Sequence, residues 1–139
     1  MTDICFTPAT KLAQLIRSRK LSATEVMAAF IAQIERVNPK VNAIVTFVPE
    51  LALKKAKEMD RKKTPVGPLA GLPIAYKDNV PTRGIRTTSG SPIFRDNVPK
   101  EDHLIVERLS AAGAITLGKT NLPEFAAGSH TFNLCSAPR

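Results

Sequence analysis

Two adjoining stretches, DHLIVERLSAAG at 102–113 and AITLGK at 114–119, constrain the fold more than anything else in the chain. The first carries apolar residues at helical spacing, with Leu104, Ile105, Leu109 and Ala112 as the expected inner face. Gly113 stands where a left-handed residue closes a helix. The second stretch is apolar or β-branched until its last residue and reads as a buried strand. Helix, glycine stop and buried strand in that order predict α/β layering, with helices shielding a sheet.

The earlier third of the chain supplies helices for such a layer. Thr7 and Pro8 form a candidate cap and first-turn pair ahead of an apolar stripe at Leu12, Leu15 and Ile16. SATE at 22–25 is a capping box, in which Ser22 takes the amide of Glu25 and the Glu25 side chain reaches back. Val26, Phe30, Ile34 and Val37 continue that helix, and Asn38-Pro39 is expected to stop it. NAIVTFV at 42–48 predicts a short strand, and PELALKKAKEMDRKK a helix with a charged outer face. From Thr64 the character changes, and proline and glycine punctuate irregular chain around short strands from Pro65 to Pro99. NLPEFA at 121–126 begins as a short helix, with Asn121 and Glu124 spaced for a second reciprocal cap.

Composition narrows the function classes. Lys and Arg number 20 against 12 Asp and Glu, a net charge of +8, but the basic clusters RSRK, KKAK and RKK are short and separated. With six Phe, one Tyr and no Trp there is little to stack bases, so nucleic acid is not the expected partner. No window approaches the ~18 apolar residues of a membrane span, and the acidic residue at position 3 is unlike a secretory leader. Cys5 and Cys135 read as unpaired thiols, which fits a reducing, cytoplasmic setting. His103 and His130 stand in no ligand spacing, so a metal site is not expected. TTSGS at 87–91 reads as a polar turn.

One short segment remains for chemistry. In GLPIAYKDN, 71–79, an apolar strand runs directly into Lys77, followed by Asp78 and Asn79. Lys77 shares a strand face with Ala75, while Ile74 and Tyr76 point the other way. Two readings are open: a solvated strand end with a weak Lys77–Asp78 ion pair, or a lysine held rigidly to move protons. A lysine serves as a base only when neutral, which requires lowering its pKa from about 10.4 by roughly three units, or about 4 kcal/mol. Desolvation or a neighbouring cation can do this.

GPLAGLPIAYKDN, then GIRTTSGSPIF, then DHLIVERLSAAGAITLGKTNLPEFAAGS together resemble the amino-terminal part of amidase signature enzymes. That family comprises amidases and the A subunit of glutamyl-tRNA(Gln) amidotransferase. The resemblance runs from about Ala9 to Phe132 and is strongest between Gly67 and Ser129. It implies an α/β/α fold with a mixed sheet, in which residues 1–139 form the amino-terminal part of a single amidase domain. A helical region over about 8–63 precedes a lysine-bearing core segment over about 64–139. It implies amide hydrolysis by a Ser–cis-Ser–Lys triad without a cofactor, and it places the triad lysine on Lys77. Asn121 and Glu124 carry structural roles in that comparison, and Gly128-Ser129 resembles a loop near the substrate.

The family's two serines lie in a Gly/Ser-rich stretch after the TFN segment, whereas here TFN at 131–133 is followed by LCSAPR. Ser136 matches neither serine. The expectation is therefore a truncated amidase, inactive by itself, whose complete form takes a small-molecule amide and forms a homodimer. The alternatives are an amidotransferase A subunit with partner subunits, and a non-enzymatic basic binding module.

Overall fold

The structure, a computed structural model, describes residues 4–62 and 67–136. The expected helix end at Lys63 and the boundary near residue 64 lie outside the described residues. The described elements follow in the order α1 (Ala9–Arg17), α2 (Ala23–Val41), β1 (Ile44–Phe47), α3 (Pro49–Arg61), β2 (Pro73–Lys77), α4 (Leu104–Ala111) and β3 (Ile115–Thr120), with short 3-10 turns between them. The sheet is mixed, in the order β1-β3-β2. β1 is antiparallel to β3 and β2 is parallel to it.

The central strand, β3, is buried from Ile115 to Lys119, and its composition predicts this as far as Gly118. Ile115 and Leu117 pack with Ala23, Met27 and Ile31 of α2 and with Ala52 and Ala56 of α3, so both helices cover one face of the sheet. A second cluster joins Leu12 and Ile16 of α1 to Val26 and Leu72. Small residues at 52 and 56, one turn apart, let α3 approach closely.

The capping box forms as predicted, with the Glu25 amide donating to Ser22 Oγ at 3.0 Å and the Ser22 amide to Glu25 Oε2 at 2.8 Å. These bonds to Ser22 hold the Glu25 carboxyl below its usual range. Asp60 adds a second cap from α3, accepting from the amides of Ala23 and Thr24 at 2.7 and 3.0 Å. Gly113 ends α4 in the left-handed region at φ 96°, as expected.

Four local expectations are corrected. Pro39 does not stop α2, which continues to Val41 and is closed by Asn42 at φ 48°. Only the last turn is affected, and the Asn38 side chain stitches it to β1, donating to Ile44 O and accepting from Ile44 N. Thr7 does not cap α1: the N-cap is Pro8, whose carbonyl accepts from Lys11 and Leu12. α4 buries Val106 rather than Leu104 and Ile105, which are 59% and 49% exposed. Both stripes fit helical spacing; the one that is covered runs through buried Val106 and half-buried Leu109. Finally, Glu124–Ala126 is a single 3-10 turn with Phe125 and Ala126 at positive φ, and Asn121 and Glu124 do not cap each other.

Candidate active site

β2 climbs from buried Leu72 to buried Tyr76 and delivers Lys77 to the surface. As an outer strand it is, among the described strands, hydrogen-bonded to β3 alone. Lys77 pairs with Thr120 at the end of the ladder. The next amide, Asp78 N, donates to Thr120 O at 3.0 Å, and Val80 N turns back to Lys77 O at 2.9 Å. The backbone is thus tied on both sides of the lysine while the side chain is exposed.

Asp78 is not the exposed half of a surface ion pair. It is fully buried, and its Oδ2 accepts from the amide and hydroxyl of Thr88 at 3.1 and 2.5 Å. Its Oδ1 is buried without a hydrogen-bond partner among the described residues. The Asp78 carbonyl in turn accepts from Ser89 N at 2.9 Å. TTSGS is therefore a turn, but a buried one that grips the residue after Lys77. Ser89 and Gly90 take φ values of 54° and 67° to bring Thr88 onto the carboxylate.

The residue that composition missed is Lys119. It faces Tyr76 and Thr46 across the two ladders. The register shift opposite Ile74 and Ala75 turns it to the face of Thr116, away from Ile115 and Leu117. There it is completely buried. Its ammonium donates to Val80 O, and to Thr82 Oγ1 and Thr87 Oγ1 at 2.9 Å each. Desolvation lowers its pKa to about 8, opposed by the charges of Asp78 and Asp102. A signal was present: a lysine closing a strand that is otherwise wholly buried must either surface or find internal acceptors.

A second set of ties closes the far side of the turn. Ser91 Oγ donates to Glu124 Oε1 at 2.6 Å, and Phe125 N donates to Ser89 O at 2.8 Å. Asn121 Oδ1 accepts from Leu122 N and from buried Asn133 Nδ2, which also reaches Leu122 O. Asn121 and Glu124 are structural, though not as a cap, and the TFN asparagine belongs to the same brace. Phe94 and Phe125 meet edge to face, with centroids 6.1 Å apart.

The other candidates do not converge on Lys77. His103 caps α4, its Nδ1 accepting from Ile105 N at 3.2 Å, and His130 is exposed. The Cys5 thiol donates to Ala29 O at 3.4 Å, and Cys135 accepts from Arg86 Nη2 at the same distance, so the two are not joined in a disulfide. Ser129 is exposed, while the Ser136 amide donates to Asn133 Oδ1. Among the described residues no group of three or more His, Cys, Asp or Glu could hold a metal, and no helix is long and apolar enough to cross a membrane.

Comparison with known proteins adds a family relationship. Residues 25–138 match the family model described as Amidase. The chain is 46% identical over 135 residues to the glutamyl-tRNA(Gln) amidotransferase A subunit of Carboxydothermus hydrogenoformans, covering 94% of this chain and 28% of that protein. The backbone superposes on fatty acid amide hydrolase with a TM-score of 0.91 at 25% identity, covering 98% of this chain and 25% of that one. Native peptide amidase from Stenotrophomonas maltophilia gives 0.79 at 34% identity, over 88% and 26% of the two chains. The 139 residues therefore span between a quarter and a third of the proteins they resemble.

Proposed function

The chain belongs to the amidase family, and from that premise we propose that it is the lysine-bearing part of an enzyme that breaks carboxamide C–N bonds by a Ser–cis-Ser–Lys mechanism. The observation that carries the reading is the mounting of Lys77, an exposed side chain on a backbone tied at both neighbouring peptide units. An exposed lysine on a mobile loop would lose proton-transfer geometry at each turnover; one on a braced strand end keeps it.

In this proposal Lys77 takes a proton from the bridging serine, which takes one from the nucleophilic serine as its oxygen attacks the amide carbonyl. The protons return along the same path to the leaving nitrogen, giving an acyl-serine and a free amine or ammonia. Water then attacks the acyl carbon as its proton passes through the bridging serine to the lysine. That proton returns to the departing serine oxygen as the carboxylic acid is released, which restores the neutral base. Residues 1–139 contain no Gly/Ser-rich counterpart of the two serines, so hydrolysis is proposed for this segment joined to the rest of the family fold, not for the 139 residues alone. The substrate is a small-molecule amide, and a cytoplasmic setting and a homodimer belong to the same reading.

A second reading is favoured by one observation, the 46% identity to an amidotransferase A subunit. In that case the amide is that of glutamine, partner subunits are required, and the ammonia passes to a charged tRNA. A chimera separates the two, with residues 1–139 replacing the matching segment of the Carboxydothermus relative. Ammonia release from glutamine that depends on partner subunits supports the amidotransferase; release from simple carboxamides without them supports the amidase. No release from either overturns both.

A further inference from the structure

Lys119 has no part in the proton path above, yet it is the largest fully buried side chain among the described residues. We infer that Lys119 is a positioning residue for Lys77, its ammonium group locking the Val80–Thr87 loop against β3 and so fixing the turn that begins at Lys77. The inference rests on the reading of Lys77 as the base.

Its chemistry follows from which protons are already committed. The Thr82 hydroxyl donates to Val80 O at 3.1 Å, and the Thr87 hydroxyl to Ile85 O at 3.0 Å. Each hydroxyl oxygen can then only accept from Lys119. With Val80 O as the third acceptor, all three N–H groups of an ammonium are used. A neutral amine has one N–H too few, so Lys119 serves as a cation here and not as a second base. The charged groups acting on it are Asp78, beside Lys77, and Asp102, which accepts from Arg83 N at 2.6 Å on the same loop.

The leverage is geometric. Val80 N closes the turn onto Lys77 O, while Val80 O is held by Lys119. The grip is therefore one peptide unit from the turn that sets the lysine's direction. Thr82 and Thr87 anchor the loop at two further points, and Thr87 N and O are both tied to Asn97. Without the ammonium, Val80 O and the two hydroxyl oxygens would each lose a donor in a buried space, leaving these groups only the Thr82–Val80 and Thr87–Ile85 bonds.

The test uses the 139-residue chain. Brief acetylation at neutral pH, located by peptide mass spectrometry, is expected to modify Lys77 at least about tenfold faster than Lys119. Equal rates would overturn the inference. Amide hydrogen exchange then compares the wild type with Lys119→Arg and with Thr82→Val/Thr87→Val, which leaves the lysine in place. The expected result is exchange about tenfold faster over residues 77–88 in both variants, with α2 and α3 unchanged. A rise spread evenly over the chain, or none, would overturn it. A third readout is the rate of Lys77 acetylation against pH: in the wild type it should carry an additional inflection as Lys119 loses its proton, absent in Lys119→Arg. A single inflection in both would contradict the coupling. None of these readouts measures catalysis, so failure of Lys77 as a base would appear only in the chimera's turnover, and failure of the brace only here.

Discussion

Thr88 donates both its amide and its hydroxyl to Asp78 Oδ2, at 3.1 and 2.5 Å, and so fixes the residue immediately after Lys77 from ten positions away. The pair is buried, and Asp78 Oδ1 has no partner among the described residues. Thr88→Val should therefore cost about 1.5–3 kcal/mol, the usual worth of a hydrogen bond to a charged group. Thr88→Ser, which keeps the hydroxyl, should recover most of it. Urea unfolding of the three proteins checks this; equal stability of the valine and wild-type chains would contradict it.

Lys119 makes a pH prediction whose sign differs from that of a surface lysine. Its folded pKa lies at about 8, below the ordinary value of 10.5. Between those limits the unfolded chain binds more protons than the folded one, so stability due to this residue rises with pH across that window. The difference in unfolding free energy between wild type and Lys119→Met should be flat below about pH 7 and shift in favour of wild type from pH 8 to 10. Taking the difference removes the other titrating groups, including the Tyr76 phenol, whose pKa burial raises. A difference that is flat throughout, or falls, would contradict the burial of the ammonium.

Gly118 makes the central strand possible. A Cβ there would lie 2.5 Å from Thr46 O and 3.0 Å from Ile44 Cγ2, at the point where β1 crosses the bulged part of β3. Gly118→Ala should cost about 1–3 kcal/mol by forcing β1 outward. Thermal unfolding measures it, and an unchanged midpoint would show that the strand yields freely.

The layering, the central strand and the position of Lys77 were legible because each is a local pattern: a glycine-stopped helix, a β-branched run, an apolar strand ending in a cation. The family resemblance is what suggests the proton-carrying role proposed for Lys77. What the pattern hid were choices made by tertiary contact. Helical spacing fits a face through Ile105 as well as one through Val106, and only the tertiary fold decides between them. Pro39 reads as a stop because the side-chain bonds from Asn38 to Ile44 are not visible in a propensity. Asn121 and Glu124 have cap spacing, but Asn133 and Ser91 compete for them and win. Lys119 was hidden because a bulge, which sequence alternation does not report, turns it to the opposite face.

The α2 start carries two caps, and the inter-helix one should matter more. Asp60 joins α3 to the amides of Ala23 and Thr24 and to the Thr24 hydroxyl. Asp60→Ala should cost about 1–2 kcal/mol, a typical cap value, and loosen exchange in both helices. Ser22→Ala, at a more exposed cap, should cost less and affect α2 alone. The reverse order would contradict this.

The most direct test of the account is Lys77→Arg in the chimera with the Carboxydothermus relative. A base must give up its proton, and arginine holds its charge at every working pH. The account predicts that Lys77→Arg loses amide-bond turnover nearly as fully as Lys77→Ala, about 10²–10⁴-fold, with the chimera still folded. Near-normal ammonia release with arginine at position 77 would contradict it and leave Lys77 a surface residue at the end of a strand.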